Sequence, residues 1–175
     1  MSELSAEEGA DLVFLHEEEK LAHDVYVYAH EVYGRGPFNN ISASELQHTD
    51  AVGQLIERFG LEDPHFDATP GVFYDEALAG LYTALTTTVD ASFIDALTVG
   101  ATIEDLDIKD IEEMKARTSN SDLLDLYDRL QCGSRNHLRS YVGQLEMQGA
   151  SYEAQYLTQG EVDEILAGDN ESCGG

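Results

Sequence analysis

Ile41-Ser42-Ala43-Ser44-Glu45-Leu46-Gln47-His48-Thr49-Asp50-Ala51-Val52 decides how this chain is read. With Leu55 and Phe59, the residues Ile41 and Val52 mark one stripe at helical spacing, and Glu45 and His48 interrupt that stripe at its middle. Pro37 or Asn40 opens the helix, and Gly60, ahead of Asp63-Pro64, closes it. A core-facing stripe has little use for a carboxylate and an imidazole unless something charged lies between them and their neighbours. Ser42-Ala43-Ser44-Glu45 can also be read as a capping box, which would put Glu45 in the first turn of a later helix. A cap, however, accounts for neither His48 nor the similar interruptions elsewhere.

Those interruptions lie on three further helices. One, from about Ala6 to Tyr33, carries the stripe Leu12, Leu15, Glu19, Ala22, Tyr26, Ala29 and Tyr33 and ends at Gly34-Arg35-Gly36. Another, from about Ser92 to Arg117, carries Leu97, Gly100, Glu104, Asp107, Ile111 and Met114. The last, from about Asp122 to Gln148, carries Leu123, Tyr127, Leu130, Ser134, His137, Tyr141 and Leu145. Short links make the first two helices, and the last two, antiparallel neighbours. Between the pairs, Leu61 to Val89 holds Pro64, Pro70 and Gly71 and then a short helix from Tyr74 to about Leu85, enough chain to return from one end of a bundle to the other. The expected fold is all-α: a four-helix bundle of two antiparallel pairs joined by a long crossover containing a short helix. It occupies residues 1–160, and residues 161–175 form a weak helix and a flexible acidic C-terminal tail.

Composition narrows the function. The 175 residues carry 35 acids against nine Lys and Arg, a formal charge of −26. Such a surface repels nucleic acid and anionic membranes, so neither is an expected partner. Because the acids spread along every helix, a solvated surface adapted to high salt is preferred to loose cation binding or an acidic partner-binding face. No apolar run is long enough to span a bilayer, and the acidic start of the chain does not read as an export signal, so a cytoplasmic location is expected. The two cysteines, Cys132 and Cys173, are too sparse for a disulfide framework or a thiolate metal site and are expected to be free thiols.

The polar breaks carry the chemistry. Residues three apart share a helix face, so Glu45 and His48 can aim an oxygen and a nitrogen at one point. Glu19, Glu104, Asp107 and His137 fall at matching heights, and two adjacent metal ions bridged by carboxylates and capped by histidines need that layout. Glu18 competes with Glu19 as the ligand of the first helix, since Phe14, Leu21 and Val25 surround it too. His16, His23 and His30, off the stripe, are expected to form an exposed row. Arg135 and Arg139 are free to pair with Asp107 or with surface acids.

Three segments resemble a known group. Glu17-Glu18-Glu19-Lys20-Leu21-Ala22 with Asp24-Val25-Tyr26, Ser44-Glu45 with His48, and Gly133-Ser134-Arg135-Asn136-His137-Leu138-Arg139 resemble a bacterial and archaeal family of unknown function within the ferritin-like superfamily. The resemblance implies a ferritin-like four-helix bundle with a dinuclear iron or manganese site that oxidises ferrous iron or reduces oxygen or peroxide. It implies Glu19, Glu45, His48, Glu104 and His137 as ligands, with Tyr26 and Arg139 behind them. Separately, a homodimer is one expected assembly. On the last helix the superfamily has a second Glu-x-x-His, where this chain has Ser134 to His137. Asp107 resembles the additional carboxylate of rubrerythrins, three residues beyond the third-helix Glu, and would fill that gap. The alternative is a mononuclear or metal-free bundle acting as a structural or partner-binding module.

Overall fold

In the computed structural model, which describes residues 3–174, the chain forms six helices, with no strand among the described residues. They are α1 (Ala6–Tyr33), α2 (Phe38–Arg58), α3 (Glu76–Val89), α4 (Phe93–Ala116), α5 (Ser121–Met147) and α6 (Gln159–Ala167). No helix among the described residues is long and apolar enough to cross a membrane.

Side-chain caps set most of the starts. Ser5 and Glu8 form a reciprocal capping box on α1, and Thr158 and Glu161 form another on α6. Asp75, Ser92 and Asn120 cap α3, α4 and α5. Gly34, at φ 58°, ends α1 in a left-handed turn where a side chain would be strained. Helix α2 starts at Phe38, so Ser42 lies inside it and bonds back to the Asn39 carbonyl. The capping-box reading of Ser42 to Glu45 is thereby excluded. Helix α3 begins two residues later than expected because the Asp75 carboxylate takes the Ala77 and Leu78 N–H groups. It runs on to Val89, with the hydroxyls of Thr86, Thr87 and Thr88 bonded to carbonyls a turn behind.

Helix α1 packs along α2 and α4 along α5, while α1 meets α4 and α2 meets α5 more sparsely. The core divides into two apolar blocks. One is built on Leu12, Leu15, Val52, Ile111, Leu123 and Leu130, the other on Val25, Phe38, Leu97, Leu138 and Tyr141. Each fully buried Leu or Phe contributes roughly 1.5–3 kcal/mol. The layer between the blocks has no such gain, since Glu19, Glu45, Glu104, Asp107, Ser134 and His137 occupy it.

The crossover is pinned to the other side of α1. Glu17 accepts the N–H groups of Tyr74 and Asp75 at 2.6 and 2.9 Å. Lys20, 3% exposed, donates to Asp24 at 2.6 Å and to the Thr69 and Val72 carbonyls, with its ammonium 4.2 Å from the centre of the Phe73 ring. The segment before α6 is held by Asp105, which accepts Tyr152 Oη and the N–H groups of Gln155, Tyr156 and Leu157.

The C-terminal segment, expected to be loose, is docked on α5. Val162 is fully buried, and Glu171 bridges Arg135 and Arg139 at 2.6 and 2.9 Å. Cys132 and Cys173 are joined in a disulfide, which corrects the expectation of free thiols. Their separation of 41 residues gave no pairing signal, because the fold alone returns the tail to the middle of α5.

Candidate metal centre

Four helices each bring polar side chains to the central layer. Helix α1 contributes Glu19, α2 contributes Glu45 and His48, α4 contributes Glu104 and Asp107, and α5 contributes Ser134 and His137. His48 Nδ1 lies 3.1 Å from Glu19 Oε2 and 2.8 Å from Glu45 Oε2. His137 Nδ1 lies 2.7 Å from Glu45 Oε1 and 3.5 Å from Glu104 Oε2. The result is two triads, Glu19–Glu45–His48 and Glu45–Glu104–His137, with Glu45 common to both; within each, the ligand atoms lie within 4.8 Å of one another. The two imidazoles stack with centroids 5.7 Å apart.

Surrounding groups fix these side chains. Tyr26 donates to Glu104 Oε1 at 2.6 Å. Ser44 Oγ meets His137 Nε2 at 3.1 Å, leaving Nδ1 to face the carboxylates. Ser134 hydrogen-bonds Asp107 Oδ2, which ties the Asp107 carboxylate to α5. Gly133 lets His48 lie against α5: a Cβ there would come within 2.8 Å of the ring. A glycine inside a helix costs about 0.5–1 kcal/mol relative to alanine, and this close approach is its compensation.

The charges are unequally held. Burial raises Glu19 even though His48 opposes it, and burial with the Glu45 charge lifts Glu104 to about 7. Burial and the charges of Glu19 and Glu104 drive Asp107 well above the usual carboxylate range. At Glu45 burial pulls the same way, but the two imidazoles override it and hold the group well below its ordinary value. Burial disfavours charge on His48 and His137, yet the neighbouring carboxylates raise both, His137 to about 10.

Hydrogen bonding does not saturate the layer. Glu19 Oε1, Glu45 Oε1, Asp107 Oδ1 and His137 Nδ1 are buried without a hydrogen-bond partner. Glu45 Oε1 and His137 Nδ1 are close, yet neither is aligned for a hydrogen bond to the other. Leaving a buried polar atom unpaired costs about 1–3 kcal/mol. Carboxylate oxygens and imidazole nitrogens turned inward in this way suit a divalent cation.

Other expected residues sit elsewhere. Glu18 is buried beside Asp107 and Asp110, outside both triads, so Glu19 is the α1 residue that meets His48. Arg139 and Arg135 turn to Glu171 and away from Asp107; Arg139 also holds the Ile165 carbonyl. The row His16, His23 and His30 is half-buried rather than exposed, because the crossover and α2 cover it. His16 pairs with Asp63 and stacks on Phe66, and His23 bonds to the Ser42 carbonyl. Ser44 and Gly133 are site residues that the sequence reading does not single out. Only the position of Ser44 and Gly133 one residue from Glu45 and Ser134 hinted at them.

Where α2 and α5 diverge, a cleft of about 480 Å³ opens on His48 and His137. Gln47, Asn136, Glu171 and Cys173 line its walls, so the docked tail borders the way in.

The family described as "Uncharacterized protein domain (DUF2202)" matches residues 8–169. "Uncharacterized protein MJ0754" of Methanocaldococcus jannaschii is 42% identical over 168 residues, 96% of this chain and 91% of that protein. The crystal structure titled hypothetical protein MJ0754 from Methanococcus jannaschii superposes with a TM-score of 0.95 at 41% identity, covering 98% of each chain.

Proposed function

We propose that this chain, which belongs to the DUF2202 family, is a metal-binding protein of ferritin-like four-helix design. Its central layer holds two divalent cations, iron or manganese, and reduces peroxide or oxygen or oxidises ferrous iron. The observation that carries this reading is the pair of triads sharing Glu45, with inward-facing atoms that no hydrogen bond satisfies. Glu19 and His48 would hold one ion and Glu104 and His137 the other, with Glu45 between them. Asp107, anchored by Ser134, supplies a further carboxylate, and the four acids balance two divalent charges. When bound, such a pair supplies Lewis acidity and electrons to a small oxidant.

The protein side of the chemistry is positioning. Tyr26 restrains Glu104, Ser44 sets the orientation of His137, and Gly133 admits His48. The α2–α5 cleft admits a small oxidant to the histidine side of the layer. A mononuclear or metal-free module has one observation in its favour, the serine at position 134.

Metal analysis of protein purified without chelator tests the reading. About two Fe or Mn per chain are expected, lost on joint Glu45→Ala and His48→Ala substitution. Wild-type protein that takes up neither Fe(II) nor Mn(II) when titrated would rule it out.

A further inference from the structure

A site of this kind consumes electrons, and the chain has two cysteines and no other thiols to supply them. One lines the cleft and the other adjoins it in sequence. Cys173 lines the cavity that opens on His48 and His137, and Cys132 directly precedes Gly133, the residue against which His48 packs. On its outer side the disulfide borders a second cavity, about 380 Å³, lined by Cys132, Cys173, Arg135 and Glu171. It therefore lies between the cleft that reaches the histidines and a second opening.

The tail is held by more than the S–S bond. Glu171 is held by two guanidinium groups, and the Asn136 amide donates to the Glu171 carbonyl and, at 3.4 Å, to Cys173 Sγ. With the bond cut, those contacts keep the two sulfurs adjacent. A couple that stays assembled in both states can cycle, whereas a purely structural bridge needs only to close once.

We propose that Cys132 and Cys173 form a reversible dithiol–disulfide couple that delivers two electrons to peroxide at the central layer. The inference rests on the dinuclear reading. In the first half-reaction two equivalents of a small external thiol, entering from the outer cavity, cleave the S–S bond by exchange and leave as their own disulfide. In the second, the two protein thiols give up two electrons and two protons, the O–O bond of hydrogen peroxide breaks, and two waters and the Cys132–Cys173 bond form.

The test uses full-length protein reduced with a phosphine, freed of reductant and loaded anaerobically with Mn(II). Metal binding is recorded first, by titration, in wild type and in Cys132→Ser/Cys173→Ser. One equivalent of hydrogen peroxide is then added, and free thiols are counted by alkylation and mass spectrometry. Loss of both thiols per peroxide is expected, at least about tenfold faster with Mn(II) than without it or in Glu45→Ala. Equal rates with and without metal, or thiols that persist while peroxide is consumed, would overturn the couple and leave the metal reading standing. Failure of wild type to bind Mn(II) and Fe(II) at all would overturn both. The serine variant is expected to bind metal as wild type does, so lost binding there would assign the bridge a structural role and also overturn the proposal.

Discussion

Helix α1 buries carboxylates on two sides in opposite ways. Toward the crossover, Glu17 and Asp24 are saturated by backbone N–H groups and the Lys20 ammonium. Toward the interior, Glu18 and Glu19 keep oxygens with no partner and face other acids. The two sets share one helix and the same burial, so burial does not distinguish them. The difference lies in donors: the acids that fasten the crossover are surrounded by N–H groups and an ammonium, and those that face the interior are not.

The sharpest way to break the contrast is to remove a donor from the saturated side. Lys20→Met strands Asp24 and two loop carbonyls and should cost about 3–5 kcal/mol in urea unfolding, with little change in metal uptake. Equal loss of metal would mean that the two faces are not independent.

A second effect should appear with pH in the metal-free protein. Glu104 is raised from 4.5 to about 7 and His137 from 6.5 to about 10, so the folded state binds protons more tightly than the unfolded chain at both sites. Their contribution is fully present at low pH and is lost as pH rises through these folded values. Thermal stability should therefore decline between about pH 5 and 10. Metal replaces those protons, so uptake should release protons and tighten as pH rises over the same window. A flat calorimetric proton balance across buffers of different ionisation enthalpy would contradict this.

Smaller still is Glu18→Gln, which replaces a carboxyl whose charged form burial and the neighbouring Asp107 and Asp110 disfavour, and which should stabilise the metal-free protein by about 1 kcal/mol, opposite in sign to the Lys20 change. Weakest per site is the response to salt. With a net charge of −26, unfolding temperature should rise steadily toward molar salt, and a level salt series would refute a high-salt surface.

The helices were legible because apolar spacing is local information. Each stripe around Glu19, Glu45, Glu104 and His137 was long enough to set its own phase, and the four breaks then aligned at one height. The crossover helix was legible in place but not in extent, since its start depends on the Asp75 cap. What the sequence could not display was contact across long separations. The run Glu17 to Lys20 divides its members between two environments, with Glu17 and Lys20 facing a loop some fifty residues away. Arg135, Asn136 and Arg139 bind a tail more than thirty residues on, so a segment that resembled one motif serves both the site and its border.

The bond between Cys132 and Cys173 also makes the second half of α5, α6 and the tail into a closed covalent ring. A protease that cuts any single peptide bond between them leaves both fragments attached. Such a nicked chain would migrate intact until a reductant is added, so for this protein a gel run without reductant reports connectivity rather than integrity.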